Sequence, residues 1–505
     1  MKPRKSKKTL IQLLTAVTLF CCGHRADAQT TLPGVASDSC PISQRFREFI
    51  NVNNRSLDHI ALPPNNLADL TPVPPDIDID CPFLERAAKM FLWVTSPYGQ
   101  GSYVFRSPAF FDALSADSGF RELKPTSFNF TDSKLKNFDI TLGLEKPNDP
   151  PGQVDSKVLV TQDCRLVYYL IQVNDVYAYF LTGVKNEIIP AKEFPTGKML
   201  KNRKTDLEMI DDLAWAHHRI RLDDREALAV ELKSAWVEIP ESEKMNYITM
   251  MRMIPTYDNP VPCSSTSTAT SWSPNGSREA LLALIGMHVV FSAKGHPEMV
   301  WATFEHVKNT PNEEYKYFGS DGHVRTQGPD AEGHHWMFSD SNAHAPFNEP
   351  RMHVDKNGKI VAYDPNKPIG PSNILRNAPW GSPGMDAGDL NTKIISINNQ
   401  VRDPLASTDV RKNYMMIGTS WTSSEADPIN VVLRRGSEQL ANTTMETFVS
   451  TIETVHEPGS STCFDCHQGP NMLGEHCKRR GLSHLFGVLQ PLFGHDSQGQ
   501  CTSAN

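Results

Sequence analysis

Leu284-Ile285-Gly286-Met287-His288-Val289-Val290-Phe291 and Met299-Val300-Trp301-Ala302-Thr303-Phe304, joined across Ala293-Lys294-Gly295-His296-Pro297, decide the fold class. Both runs are rich in β-branched and aromatic residues and flank a Lys-Gly turn, so they read as a pair of strands. Further strands are expected at Lys157–Gln162, Arg165–Val173 and the aromatic run Val176–Leu181, which together read as a hairpin set. In Leu228–Trp236 apolar residues alternate with Glu231 and Lys233, the pattern of a half-buried strand. Helices are expected around Gln44–Asn51 and from Cys81 up to Thr95 by the spacing of Phe83, Ala87, Met90 and Phe91, and within the regular stretch 426–457 the run Asn442–Phe448 reads as a helix start. Residues 308–395 are rich in Gly, Asn, Asp and Pro and read as loop, either a cover over a site or a surface wrap. The chain as a whole is α+β with a strong strand component.

The 505 residues are 39% hydrophobic and 21% charged, which excludes collagen-like, coiled-coil and wholly disordered chains. With 50 Lys and Arg against 58 Asp and Glu there is no cationic surface to draw in a phosphate backbone, so no nucleic-acid partner is expected. The basic start Met1–Lys8, the short apolar run Thr9–Phe20 and Ala26-Asp27-Ala28 have the layout of a secretory signal peptide, cleaved after Ala28. The apolar run is shorter than the roughly 20 residues needed to span a bilayer, and no later run is long and apolar enough, so the mature chain is expected to have no membrane span. Removing residues 1–28 leaves 44 basic against 57 acidic residues, a distinctly acidic protein.

Cys463-Phe464-Asp465-Cys466-His467 carries the chemistry. This C-x-x-C-H spacing is the attachment sequence of haem c: thiols three positions apart on one helical turn reach the vinyl groups of one porphyrin, and the adjacent imidazole becomes the proximal iron ligand. Export fits, because haem c is attached after export in bacteria. Three other readings use the same residues: a thioredoxin-like redox pair, a zinc site completed by His476 and Cys477, and a plain disulfide. If Cys463 and Cys466 hold haem, the mature chain keeps six cysteines, Cys40, Cys81, Cys164, Cys263, Cys477 and Cys501, an even number for disulfides in an oxidising compartment. Their pairing is open among 15 connectivities, with Cys477–Cys501 slightly favoured as a clamp on the tail.

Candidates for the sixth iron ligand are Met472, His476, His484 and His495 in the tail, with His484 preferred because Met472 and His476 lie too near His467 to cross the haem easily. The body offers His288 and His306 as alternative distal-side residues, each with the competing reading of a hydrogen-bonded core histidine. His217-His218 and His334-His335 read as surface or loop pairs. Asp76-Ile77-Asp78-Ile79-Asp80 has the first ligands of a calcium loop but Cys81 and Ala87 where that loop needs Gly and Glu, so it reads as a solvated acidic strand. No nucleophile elbow, zincin, P-loop or dinucleotide fingerprint is present.

The segments Glu231–Trp236, Gly286–Val290, Met299–His306, Ala441–Thr447 and Ser461–His467 resemble a group of exported bacterial cytochrome c-like proteins with a large N-terminal body and a single C-terminal C-x-x-C-H. The resemblance covers most of the mature chain and implies covalent haem c and a periplasmic or secreted location; it implies no substrate. The expected organisation is a signal peptide (1–28), a Pro- and Asn-rich arm (29–80), an α+β strand-rich body (81–440) and a short, mostly helical haem c-binding segment (441–505). Functionally the expectation is a monohaem electron carrier whose acidic surface suits a basic redox partner. The alternatives are a peroxidase- or oxygenase-like haem enzyme with an open distal site, and a non-redox secreted protein with a zinc or disulfide staple.

Overall fold

The computed structural model describes residues 30–36, 39–55, 80–98, 102–115, 120–126, 157–190, 193–200, 203–222, 224–263, 268–330, 335–340, 347–381, 387–423, 433–448, 462–467 and 482–495. The proposed signal peptide, the acidic run before Asp80, and Met472, His476, Cys477 and Cys501 lie outside the described residues.

The strand pair built on Leu284–Phe291 and Met299–Phe304 is the middle of a nine-stranded antiparallel sheet. Its strands are β1 (Phe110–Ser115), β2 (Arg121–Pro125), β3 (Val167–Asn174), β4 (Val230–Glu238), β5 (Thr249–Tyr257), β6 (Pro274–Ala293), β7 (His296–His306), β8 (Tyr414–Thr422) and β9 (Arg434–Gly436). The order is β9-β8-β7-β6-β4-β3-β1-β2, with β5 paired to the first half of β6. The 20-residue β6 is the spine: β4 lies along one edge, while β5 and β7 share the other. With seven helices, α1 (Gln44–Arg55), α2 (Asp80–Val94), α3 (Asp175–Lys185), α4 (Asp206–His218), α5 (Ala387–Arg402), α6 (Thr462–Cys466) and α7 (His484–Val488), the described chain is α+β and strand-rich.

Strand alternation gives β7 two different faces. Val300, Ala302 and Phe304 point into a large core closed by α2 and α5, where Phe91 stacks on Phe304 at 4.3 Å and Phe83 on Trp421 at 4.7 Å. Met299 and Trp301 point the other way, into a second core with α3, α4 and the C-terminal Phe464, Leu485, Phe486 and Leu489. The C-terminal segment therefore shares a core with the body; burying each such side chain contributes about 1.5–3 kcal/mol. Further along this face the turn Asn442–Phe448 presses on the sheet. Gly286 permits that approach, since a Cβ there would lie 2.3 Å from Thr444 Oγ1.

Several expectations change. Val176–Leu181 is part of helix α3, not a strand. Asn174 at the end of β3 accepts a hydrogen bond from the Tyr177 N–H and so caps a helix there, and the helix is buried along its whole length, from Asp175 to Lys185. Lys157–Gln162 contributes only the isolated bridges Lys157–His353 and Val160–Leu166. Asn442–Phe448 is a turn whose polar side chains bond the sheet: Asn442 donates to Thr303 Oγ1, and the Thr443 hydroxyl to Glu305. The loop-rich 308–395 ends early, at α5. Cysteine pairing resolves in part, as Cys40–Cys81 ties the segment before α1 to α2 and Cys164–Cys263 joins the segment before β3 to the one after β5. No helix among the described residues is long and apolar enough to cross a membrane.

Candidate functional site

The C-x-x-C-H residues lie on α6 and the residue just after it. The His467 N–H donates to the Cys463 carbonyl at 2.8 Å, which closes the helical turn and brings Cys463 and His467 to one side of it. Phe464 is fully buried and anchors the turn edge-on to Trp301, at 6.5 Å between ring centres. On the opposite flank the nearly buried guanidinium of Arg434, on β9, holds Asp465 at 2.5 Å and lies 6.0 Å from the Phe464 ring. The sheet thus grips the motif through both residues that its spacing leaves unspecified.

His467 Nδ1 donates to the Leu482 carbonyl at 3.0 Å. A donor at Nδ1 puts the ring's lone pair on Nε2, the tautomer in which a histidine ligates a metal while its other nitrogen is oriented by a backbone carbonyl. Trp301 lies 4.1 Å from the His467 ring centre at 33° between planes, and His484 4.5 Å away at 27°. Trp301 is buried, and its indole N–H has no acceptor among the described residues. His484 opens α7, capped by Ser483, whose side chain accepts from the Phe486 N–H. The Ser483 hydroxyl donates to Glu231 at 2.6 Å and receives the Tyr177 hydroxyl at 2.7 Å, tying α7 to β4 and α3. Burial and the neighbouring Glu231 push the Tyr177 phenol well above its ordinary value, which keeps it a donor.

These residues fit a haem c: an attachment helix, and an imidazole in the ligating tautomer held from behind. For His484 the geometry is specific. At 4.5 Å between ring centres and 27° between planes, His484 packs on the His467 ring. Among the described residues no group of three or more His, Cys, Asp or Glu side chains is arranged to hold a bare metal ion.

The body histidines are placed elsewhere. His306 is buried at the end of β7 with both nitrogens bound to backbone: Nε2 donates to the Asn246 carbonyl at 3.1 Å and Nδ1 accepts from the Lys308 N–H at 3.2 Å. Burial pulls its pKa down to about 3, so it is neutral. His288 shares the sheet face of Trp301, next to Thr303, and its Nε2 lies 2.8 Å from both Glu446 carboxylate oxygens. Lys233 on β4 is 3.5 Å from Glu446. Burial raises the Glu446 carboxyl, but His288, Lys233 and the Asn442 N–H outweigh it and hold Glu446 at about 2. His217 and His218 end α4, the first stacked on Phe493 at 3.7 Å and the second 2.6 Å from the Tyr179 hydroxyl.

Sequence reasoning missed Trp301, Leu482, Arg434 and Glu446 as neighbours of these histidines. Trp301 reads as an ordinary apolar strand residue, and a backbone carbonyl such as that of Leu482 leaves no trace in side-chain identity. Compared with protein-family models, curated proteins and solved structures, the chain matches none, so the site is read from its own geometry.

Proposed function

We propose that the protein is an exported monohaem c-type cytochrome that transfers electrons. Cys463 and Cys466 hold the porphyrin through thioethers and His467 Nε2 is the proximal iron ligand; the haem supplies a one-electron couple. The observation that carries this reading is the Nδ1–H bond from His467 to the Leu482 carbonyl, on a motif whose spacing suits haem attachment. Phe464 and Arg434 fix the attachment turn against the sheet, and Trp301 excludes water from one side of the imidazole. The disulfides Cys40–Cys81 and Cys164–Cys263 are compatible with an oxidising compartment, where the basic N-terminal run would direct the chain. The excess of acidic over basic residues suits a basic redox partner.

A second reading is a peroxidase- or oxygenase-like enzyme with an open distal position. It draws on the His288–Glu446–Lys233 cluster, an imidazole, a carboxyl group and an amine held together on the same sheet face as Trp301.

The test is protein produced in a host that attaches haem c. The expected result is a Soret band, a pyridine haemochrome and a haem-stained band on denaturing gels that disappears in Cys463→Ala/Cys466→Ala. A colourless protein overturns both haem readings and leaves the zinc or disulfide staple. Carbon monoxide then separates the two: a reduced protein that stays low-spin and ignores it is an electron carrier, and one that binds it has the open site.

A further inference from the structure

An imidazole bound to iron through Nε2 keeps one freedom, rotation about the iron–nitrogen bond. That rotation decides how the ring's π orbitals meet the iron d orbitals, and so the ligand field and the potential. The bond from Nδ1 to Leu482 aims the ring but restrains its plane weakly, because hydrogen-bond energy varies little with twist about the N–H axis. A rigid aromatic wall in contact with the ring restrains the plane directly.

Trp301 is such a wall. It sits on β7, paired on one side with Val290 of β6 and on the other with Ser420 of β8, so its backbone is bonded on both edges. Its indole is 7% exposed and lies 4.1 Å from the His467 ring centre. His484, the other ring against His467, rides on a five-residue helix held to the body through Ser483 and buried Leu485 and Phe486, a softer mount than a central strand. We propose that Trp301 is the positioning residue that sets the plane of the proximal imidazole, and through it the redox potential. This rests on the haem reading above.

The experiment compares Trp301→Leu and Trp301→Phe with Trp421→Leu. Trp421 is a buried indole of β8 that stacks on Phe83 in the other core. Each variant is matured with haem c and followed by haem staining, by the low-spin electron paramagnetic resonance spectrum, by redox titration and by urea unfolding. All variants are expected to keep the stain. Trp301→Leu should broaden the low-spin signal as the imidazole samples several planes, and change the oxidised-to-reduced equilibrium about threefold or more. Trp301→Phe, with a smaller planar wall, should give an intermediate signal. Trp421→Leu should lose comparable stability with wild-type spectrum and potential. Stained protein with wild-type spectrum and potential in both Trp301 variants, or in Trp301→Phe where Trp301→Leu does not mature, overturns the proposal. Equal spectral change in Trp421→Leu overturns it too, by making the effect one of general packing. An unstained wild type overturns the haem reading instead.

Discussion

His306 and His467 are alike in their immediate contacts and opposite in what they can do. Each ring lies against an aromatic, Tyr247 at 4.2 Å and Trp301 at 4.1 Å, and each donates to a backbone carbonyl, that of Asn246 or Leu482. The difference is the second nitrogen. At the end of β7 the chain turns back so that the Lys308 N–H occupies the lone pair of His306. In His467 the donor is Nδ1, and the lone pair sits on Nε2, the atom a proximal ligand presents. Aromatic stacking and burial therefore do not separate the two histidines; the ring nitrogen that donates does.

The largest effect that sharpens this contrast is expected beside His306. Glu305 is fully buried, paired with Arg376 at 2.7 Å and with the Thr443 N–H at 2.8 Å. Glu305→Ala leaves the guanidinium uncompensated and should cost about 3–5 kcal/mol in urea unfolding, with no change in the haem spectrum. A spectral shift there would show that the two regions are coupled.

His306 itself should appear as pH dependence. Its pKa is near 3 in the fold against an ordinary value of 6.5, so between those pH values the unfolded chain binds the proton and the folded one does not. Stability then rises with pH across this window, or falls by about 1.4 kcal/mol per unit on acidification. Glu446, held at about 2, adds a loss of the same sign at the acid end, below about pH 4.5. Chemical denaturation from pH 7 to 4 checks this; the slope above pH 5 should vanish in His306→Phe, and its persistence there would assign it to another group.

Smaller effects lie at the other histidines. His484→Ala removes the 4.5 Å ring contact with His467 and should cost about 0.5–1.5 kcal/mol, leaving the iron low-spin. A high-spin spectrum in this variant would instead make His484 the sixth ligand. His467→Ala removes that same ring contact together with the Trp301 contact and the hydrogen bond to Leu482, so it should cost more than His484→Ala, about 1–3 kcal/mol, while abolishing the low-spin signature. If it unfolds the protein and His306→Ala does not, the contrast between the two is reversed.

What was legible in the sequence follows how local each signal is. The β6–β7 pair was read with its turn because strand, turn and return lie within about 20 residues, although β6 extends further, to Pro274. Helix α2 was read from its spacing almost to its ends. Val176–Leu181 has strand-like composition, since Val, Tyr and Phe favour strands in general, and one capping side chain, Asn174, overrides that preference. Asn442–Phe448 has helix-like composition, but its hydrogen-bonding side chains are spent on β7, and no local pattern announces a partner more than 130 residues away.

By itself the sequence determined the α+β class, the acidic balance and the C-x-x-C-H residues, because composition, alternation and motif spacing are properties of neighbours along the chain. Only the tertiary structure decided that Cys40 meets Cys81 and Cys164 meets Cys263, that the C-terminal segment shares a core with the body, and that Trp301 lies against His467. Those contacts join residues from 41 to more than 160 positions apart. They exist because a sheet with two apolar faces must be covered on both, and the last segment of the chain supplies part of the second cover.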